Sequence, residues 1–216
     1  LDGEPRGKTE AWYVLAAEPG ARLVMGVQPG TSPDEMAEAI RTNMLEERVV
    51  YADVAVGDVL YIAAGTVHAL GPGLLIYEIQ QSSDLTYRLY DWGRLGLDGK
   101  PRALHIEKGV AVSNLDALPQ IRHTAGDGRP IVEIVNSEFF TTWLHQLNPR
   151  NGPRITLDTE NRCFHILTCI EGAATVTAGD TLFTMQPGQT ALVPANQGEY
   201  LLSGTARVLR SFQGKS

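Results

Sequence analysis

Cysteine is almost absent from this chain: Cys163 and Cys169 are the only two in 216 residues. On one extended strand they would lie roughly 20 Å apart, too far for a disulfide. Reduced core thiols in a cytoplasmic protein are therefore expected. Long apolar runs are lacking too, which excludes a helical membrane span, so no membrane is expected as a partner. The opening residues, LDGEPRGK, do not read as a secretory signal. They also lack an initial Met, which points to a fragment or a processed product. There is no basic excess. Lys and Arg number 18 against 25 Asp and Glu, for a net charge of -7. Nucleic acid usually demands a basic face, so it is not an expected partner. An acidic protein can still hold a phosphorylated metabolite if a few cations line its pocket.

What the chain does have is short β-type runs, such as AWYVL, RLVMGV, VLYIA, LLIYEI, TYRLY, FFTTWLHQL, CFHILTCI and ARVLRSF. Gly, Pro, Asn and Asp turns separate them at short spacing, the pattern of an all-β sandwich or barrel. One segment departs from it. Ser32 can cap a helix that has Pro33 at its first position and Glu35 at its third. Met36, Ile40 and Met44 then recur at helical spacing, which predicts a helix from about Pro33 to Glu46.

The sequence also repeats itself weakly. VAVGDVLYIAAGTVHALG (54–71) lies over MQPGQTALVPANQGEYLL (185–202), with Gly57 on Gly188, Ile62 on Val193 and His68 on Glu199. EAWYVLAAEPGA (10–21) lies over RCFHILTCIEGA (162–173), with Gly20 on Gly172 and Glu10 on Arg162. Two related β-units are expected, over 1–115 and 116–216, joined by NLDALPQIRHTAGDGRP. By this alignment the second unit replaces Glu10 by a cation and is expected to carry no metal and to serve packing.

Residues 68–94, HALGPGLLIYEIQQSSDLTYRLYDWGR, gather His68, Glu78, Gln80, Asp84 and Arg88 among strand-forming residues. Charged side chains on a core-facing strand are costly unless they are paired or bind something. The segment reads as the wall of a polar pocket. His68 alone could be a satisfied core histidine, Glu10 could pair with Lys8, and Asp84 with Arg88 could be an internal ion pair. His105 reads as structural, as do His123, His145 and His165. Trp12, Tyr87 and Trp92 read as core aromatics.

GKTEAWYVL, GTVHALGPGLLIYEIQQSSDLTYRLYDWGR and GKPRALHI together resemble the type I phosphomannose isomerases, in their short bacterial form, of the cupin superfamily. The resemblance implies two tandem cupin barrels of the double-stranded β-helix or jelly-roll type, with one inserted helix. It implies a Zn2+ in the first unit, with Glu10 and His68 among its ligands. A mixed N/O shell with an open position suits a catalytic zinc. The family's other two ligands lie in a Gln-x-His-Pro motif expected before Leu1, so these residues alone are expected to turn over poorly. The implied reaction interconverts mannose 6-phosphate and fructose 6-phosphate by proton transfer through an enediol. Lys8, Glu78, Asp84 and Arg88 are the implied catalytic residues, with the cations near the enediolate or the phosphate. The alternative is a non-catalytic cupin that binds a sugar or sugar phosphate without a complete metal site. An oxygenase cupin fits less well, because the His-x-His pair of that class is missing from TEAWYVL.

Overall fold

The computed structural model describes residues 6–124 and 128–214. The chain divides into two compact units, one up to Arg122 and one from His123 on. Residues 125–127 of the expected linker lie outside the described residues.

The first unit has seven strands: β1 (Glu10–Ala17), β2 (Arg22–Val27), β3 (Val49–Asp53), β4 (Asp58–Ile62), β5 (His68–Leu70), β6 (Leu74–Gln80) and β7 (Ile121–His123). They form two sheets, ordered β6-β1-β4-β7 and β3-β2-β5. The second unit has β8 (Ile131–Asn136), β9 (Phe140–Leu147), β10 (Arg154–Asp158), β11 (His165–Ala178), β12 (Thr181–Met185), β13 (Thr190–Val193) and β14 (Glu199–Gln213). Its sheet runs β12-β11-β14-β9-β8, with β10 also on β14 and β13 also on β11. The fold is mostly β, as the alternating runs predict. Alternation explains the second core: Tyr200, Leu202, Ala206 and Val208 of β14 meet Leu167, Cys169, Ala174 and Val176 of β11. Cys163 and Cys169 are both free thiols.

The matched glycines share a conformation that favours glycine. Gly20 and Gly172 have φ of 79° and 72°, and Gly57 and Gly188 have 91° and 84°. At Gly172 an added Cβ would stand 2.1 Å from the Thr205 carbonyl oxygen. Left-handed backbone and close approach both select glycine there.

Helix α1 starts as expected but ends early. It spans Pro33–Arg41, opened by a capping box in which Ser32 Oγ accepts from the Glu35 amide at 3.2 Å. The Glu35 carboxylate in turn accepts from the Ser32 amide at 2.8 Å. Asn43 has φ 60°, which stops the helix. A 3-10 turn at Leu45–Glu47 follows. The change of path buries Leu45 and exposes Met44, reversing the periodic expectation for Met44.

The second correction is TYRLY, which forms no strand. The Arg88 amide donates to His105 Nδ1 at 3.0 Å, and the His105 amide donates to the Arg88 carbonyl at 2.8 Å. These backbone groups are satisfied by a loop clasp instead of a ladder. His105 sits at the start of α2 (Ile106–Val112), a short helix that no sequence signal announced. Among the described residues no helix is long and apolar enough to cross a membrane.

Candidate active site

Ladder register brings the expected site together. On β1, Glu10 lies between Ile62 of β4 and Gln80 of β6, and Trp12 lies between Leu60 and Glu78. Residues directly opposite in an antiparallel pair share a face. Glu10, Trp12, Glu78 and Gln80 therefore share the face that carries Leu60 and Ile62. His68 comes from the other sheet, at the start of β5 opposite Met25 of β2.

Glu10 is fully buried. Its Oε2 accepts a short hydrogen bond from Lys8 Nζ, which also donates to Glu78 Oε1 at 3.1 Å. Glu78 Oε2 accepts from Trp12 Nε1 at 3.1 Å. The chain Glu10–Lys8–Glu78–Trp12 is thus fixed at both ends. Trp12 also sets its ring edge-on to His68, with centroids 5.3 Å apart. Trp12 is the core aromatic that the sequence predicts, packed with Leu23, Leu60 and Ile62, and it also borders the site. Its position two residues after Glu10 on a strand, and hence on the same face, was the available signal.

His68 Nε2 stands 2.9 Å from Glu10 Oε1. Glu10 Oε1 is buried and has no other partner. His68 Nδ1 lies 2.8 Å from the Thr66 carbonyl oxygen. A carbonyl only accepts, so Nδ1 carries a proton; Nε2 carries a second proton toward Glu10 in the charged ring and presents a lone pair to it in the neutral one. A lone pair facing a carboxylate is unfavourable unless a cation or a second proton lies between them. This is also how metal-binding histidines are held, with the distal N–H on a backbone carbonyl.

Electrostatics reports the same crowding. Burial drives the His68 imidazole pKa down, but Glu10 outweighs it and holds the pKa above its usual value. Burial likewise works to raise the Glu10 carboxyl, yet His68 and Lys8 together hold it below the usual carboxylate range. Lys8 is raised against burial by Glu10 and Glu78. The donor set, one buried carboxylate oxygen and one imidazole nitrogen, fits a borderline divalent metal such as zinc. It fits as a partial shell: among the described residues no third His, Cys, Asp or Glu joins it. Gln80 and Gln81 are otherwise engaged. Gln80 Nε2 donates to the Gln81 and Ser83 carbonyls, and Gln81 Oε1 accepts from the Thr9 amide.

Beside this pair opens a cavity of about 710 Å³, whose wall includes Lys8, His68, Thr66, Tyr87 and Arg88. Arg88 is half-buried and donates from Nη1 to the Ala103 carbonyl at 3.4 Å. Arg94 and Arg102 stand on the same wall. Arg102 is paired with Asp91, its Nε 2.6 Å from Oδ2, while the Arg94 guanidinium lies over the Trp92 ring at 5.6 Å. Asp84 does not join them: it is exposed, lies outside this wall, and makes no ion pair with Arg88 among the described residues.

Residues 131–213 match the mannose-6-phosphate isomerase cupin domain family. Mannose-6-phosphate isomerase ManA of Bacillus subtilis is 31% identical over 205 residues, which is 95% of this chain and 64% of that protein. The Streptococcus mutans mannose-6-phosphate isomerase is 30% identical over 209 residues, again 95% and 64%. The chain is similar in sequence to the mannose-6-phosphate isomerases over nearly its whole length, and residues 131–213 match their cupin domain. Its fold agrees. The crystal structure of the Bacillus subtilis mannose 6-phosphate isomerase superposes with a TM-score of 0.82 at 28% identity, covering 95% of this chain and 64% of that one. A variant of the Salmonella typhimurium phosphomannose isomerase shares the fold at 15% identity, with a TM-score of 0.73, covering 98% and 67%. The chain spans about 64% of the length of the curated relatives it matches.

The repeat can now be set by ladders. Ile62 pairs with Glu10, and its match Val193 pairs with His165. The counterpart of Glu10 is therefore the buried His165, not Arg162, which is exposed in the turn before β11. The interval from His165 to Gly172 is shorter than that from Glu10 to Gly20. An alignment anchored on the glycines slides the strand by several residues.

Proposed function

We propose that the protein is a zinc-dependent isomerase that interconverts mannose 6-phosphate and fructose 6-phosphate, with its chemistry at the cavity of the first unit. The observation that carries this reading is the Glu10–His68 pair, a buried carboxylate oxygen and an imidazole nitrogen 2.9 Å apart beside an open cavity. The relatives' names supply the reaction class. Glu10 and His68 hold the zinc, together with ligands from outside the described residues. Bound zinc acts as a Lewis acid on substrate oxygen.

The reaction moves a proton between C1 and C2 of the open-chain sugar through an enediol. Lys8 and Arg88 place positive charge on the cavity wall, where the enediolate or the phosphate can use it. Glu78 is held by Lys8 and Trp12 as an oriented acceptor, suited to a sugar hydroxyl or to the migrating proton. A small-molecule sugar phosphate and a cytoplasmic setting go with this reading.

A second reading, a cupin that binds a sugar phosphate without turning it over, is favoured by one observation. Glu10 and His68 have no third His, Cys, Asp or Glu beside them among the described residues. The test uses protein from the full natural reading frame. Fructose 6-phosphate formed from mannose 6-phosphate is measured before chelation, after it, and after zinc is restored. Activity is expected to vanish and return. Turnover that survives complete metal removal would sink the zinc reading, and sugar phosphate bound without turnover by metal-replete protein would establish the second.

A further inference from the structure

The second unit repeats the first unit's ladders around opposite charges. Where Glu10 pairs across to Ile62, His165 pairs to Val193. One step inward, Trp12 faces Glu78 in the first unit, and Leu167 faces Arg210 in the second. Glu10 meets His68 at 2.9 Å, and His165 Nδ1 meets the Tyr200 hydroxyl at 2.8 Å. By these pairings Glu10 and Glu78 give way to His165 and Arg210, while the match of His68 is the exposed Glu199. Two ladder positions that are acidic in the first unit are basic in the second.

The surrounding groups continue the pattern. His145 of β9 is 1% exposed, and neither of its ring nitrogens has a hydrogen-bond partner. Trp143 Nε1 and Arg210 Nε are also buried and unpartnered. Trp143 lies directly opposite Arg210 in the β9–β14 ladder, and His145 lies opposite Val208 one step along. The Arg210 guanidinium packs over Phe212 at 4.9 Å, with the Tyr200 hydroxyl beside it. No carboxylate forms an ion pair with Arg210 among the described residues. Glu160 acts on it only at longer range and is bound to Arg162 at 3.2 Å. Asp158 and Glu160, both exposed, are the acidic groups that act on His165.

Burial first, then Arg210, then the neighbouring histidine hold the His145 pKa down to about 3. Burial and Arg210 hold His165 at about 4. Both rings are therefore neutral at neutral pH, each with one N–H to give. The cluster has donors from Arg210, Trp143 and His145 and one fixed positive charge, and its acceptors, the free His145 ring nitrogen and the Tyr200 hydroxyl, are all neutral. The unpartnered Trp143 and Arg210 N–H groups and a guanidinium without a counterion are costly arrangements. A metal ion would add to the charge of Arg210. A water would fill hydrogen bonds but leave that charge uncompensated. Arg210 and Trp143 are only half-buried, so the cluster reaches solvent.

We infer that the inner face of the second unit binds a small tetrahedral oxyanion, free or as the terminal phosphoryl group of a larger ligand, between Arg210, Trp143 and His145. This is independent of the reaction proposed for the first unit.

The test follows the Trp143 indole and the His145 and His165 imidazoles by NMR in the full chain. Inorganic phosphate is titrated at constant ionic strength, with chloride as the control ion. Phosphate should move the Trp143 N–H resonance and raise both histidine titrations by about one unit or more. Arg210→Met should weaken phosphate at least about tenfold, the scale of a charged hydrogen bond. Trp143→Phe removes one donor while keeping the ring's bulk, and should weaken binding several-fold. A parallel titration with mannose 6-phosphate separates the sources: a shift with both ligands means the phosphoryl group suffices, and a shift with phosphate alone means a free ion. Unmoved resonances in the wild type, or equal phosphate affinity in the wild type and both variants, would overturn the inference.

Discussion

Glu10→Gln is expected to abolish mannose 6-phosphate turnover while leaving the first unit folded. The substitution keeps the size of the side chain and removes its charge. Turnover should fall by at least about a hundredfold, the order seen when one electrostatic partner of a transition state is lost. Stability should change far less. Lys8 is not stranded, because Glu78 Oε1 still accepts from it at 3.1 Å. His68 loses the carboxylate that raises its pKa and reverts toward the neutral ring, still held by the Thr66 carbonyl. A change within about 1–2 kcal/mol is therefore expected. The structural alternative makes the opposite forecast. If Glu10 were only the buried half of an ion pair, its loss would cost about 3–5 kcal/mol and spare activity below the melting temperature. Denaturant titration and a turnover assay on the same preparation separate the two outcomes.

Acid is expected to destabilise the second unit before it protonates the folded histidines. His145 and His165 have folded pKa values of about 3 and about 4, against about 6.5 for an unfolded histidine. The unfolded chain therefore binds more protons in this window. Their contribution to stability is fully present above about pH 6.5, and it is lost as pH falls toward the folded values. By pH 4 each group should have removed on the order of 2–3 kcal/mol. Denaturant midpoints read from amide resonances of β11 and β14 should fall steeply between pH 7 and pH 4. His145→Leu should flatten that dependence. An unchanged slope in the variant would show that other groups govern acid sensitivity.

Much of this was legible in the chain itself. Strand runs separated by turn residues marked most of the strands among the described residues but passed over β3, β5 and β7. Ser32, Pro33 and Glu35 announced the start of α1. Lys8, Glu10, His68 and Glu78 do meet, because strand alternation sends Glu10, Trp12 and Glu78 to one face. Register was harder to read. A gap in a strand repeat is invisible until hydrogen bonds fix which residues face each other, and a shift of one residue turns every side chain over. That is why Arg162 stood in for His165, and why the buried polar cluster of the second unit went unread. TYRLY misled for a related reason. Its composition suits a strand, but His105 bonds both backbone groups of Arg88. Helix α1 stopped at a backbone conformation of Asn43 that apolar periodicity does not encode.

The most direct measurement takes wild-type and His68→Ala protein from the full natural reading frame and determines zinc content and mannose 6-phosphate turnover together. The wild type should hold zinc at roughly one equivalent per chain, and the variant should lose metal and turnover in parallel. A variant that keeps both would contradict the assignment of Glu10 and His68 as the metal-binding pair.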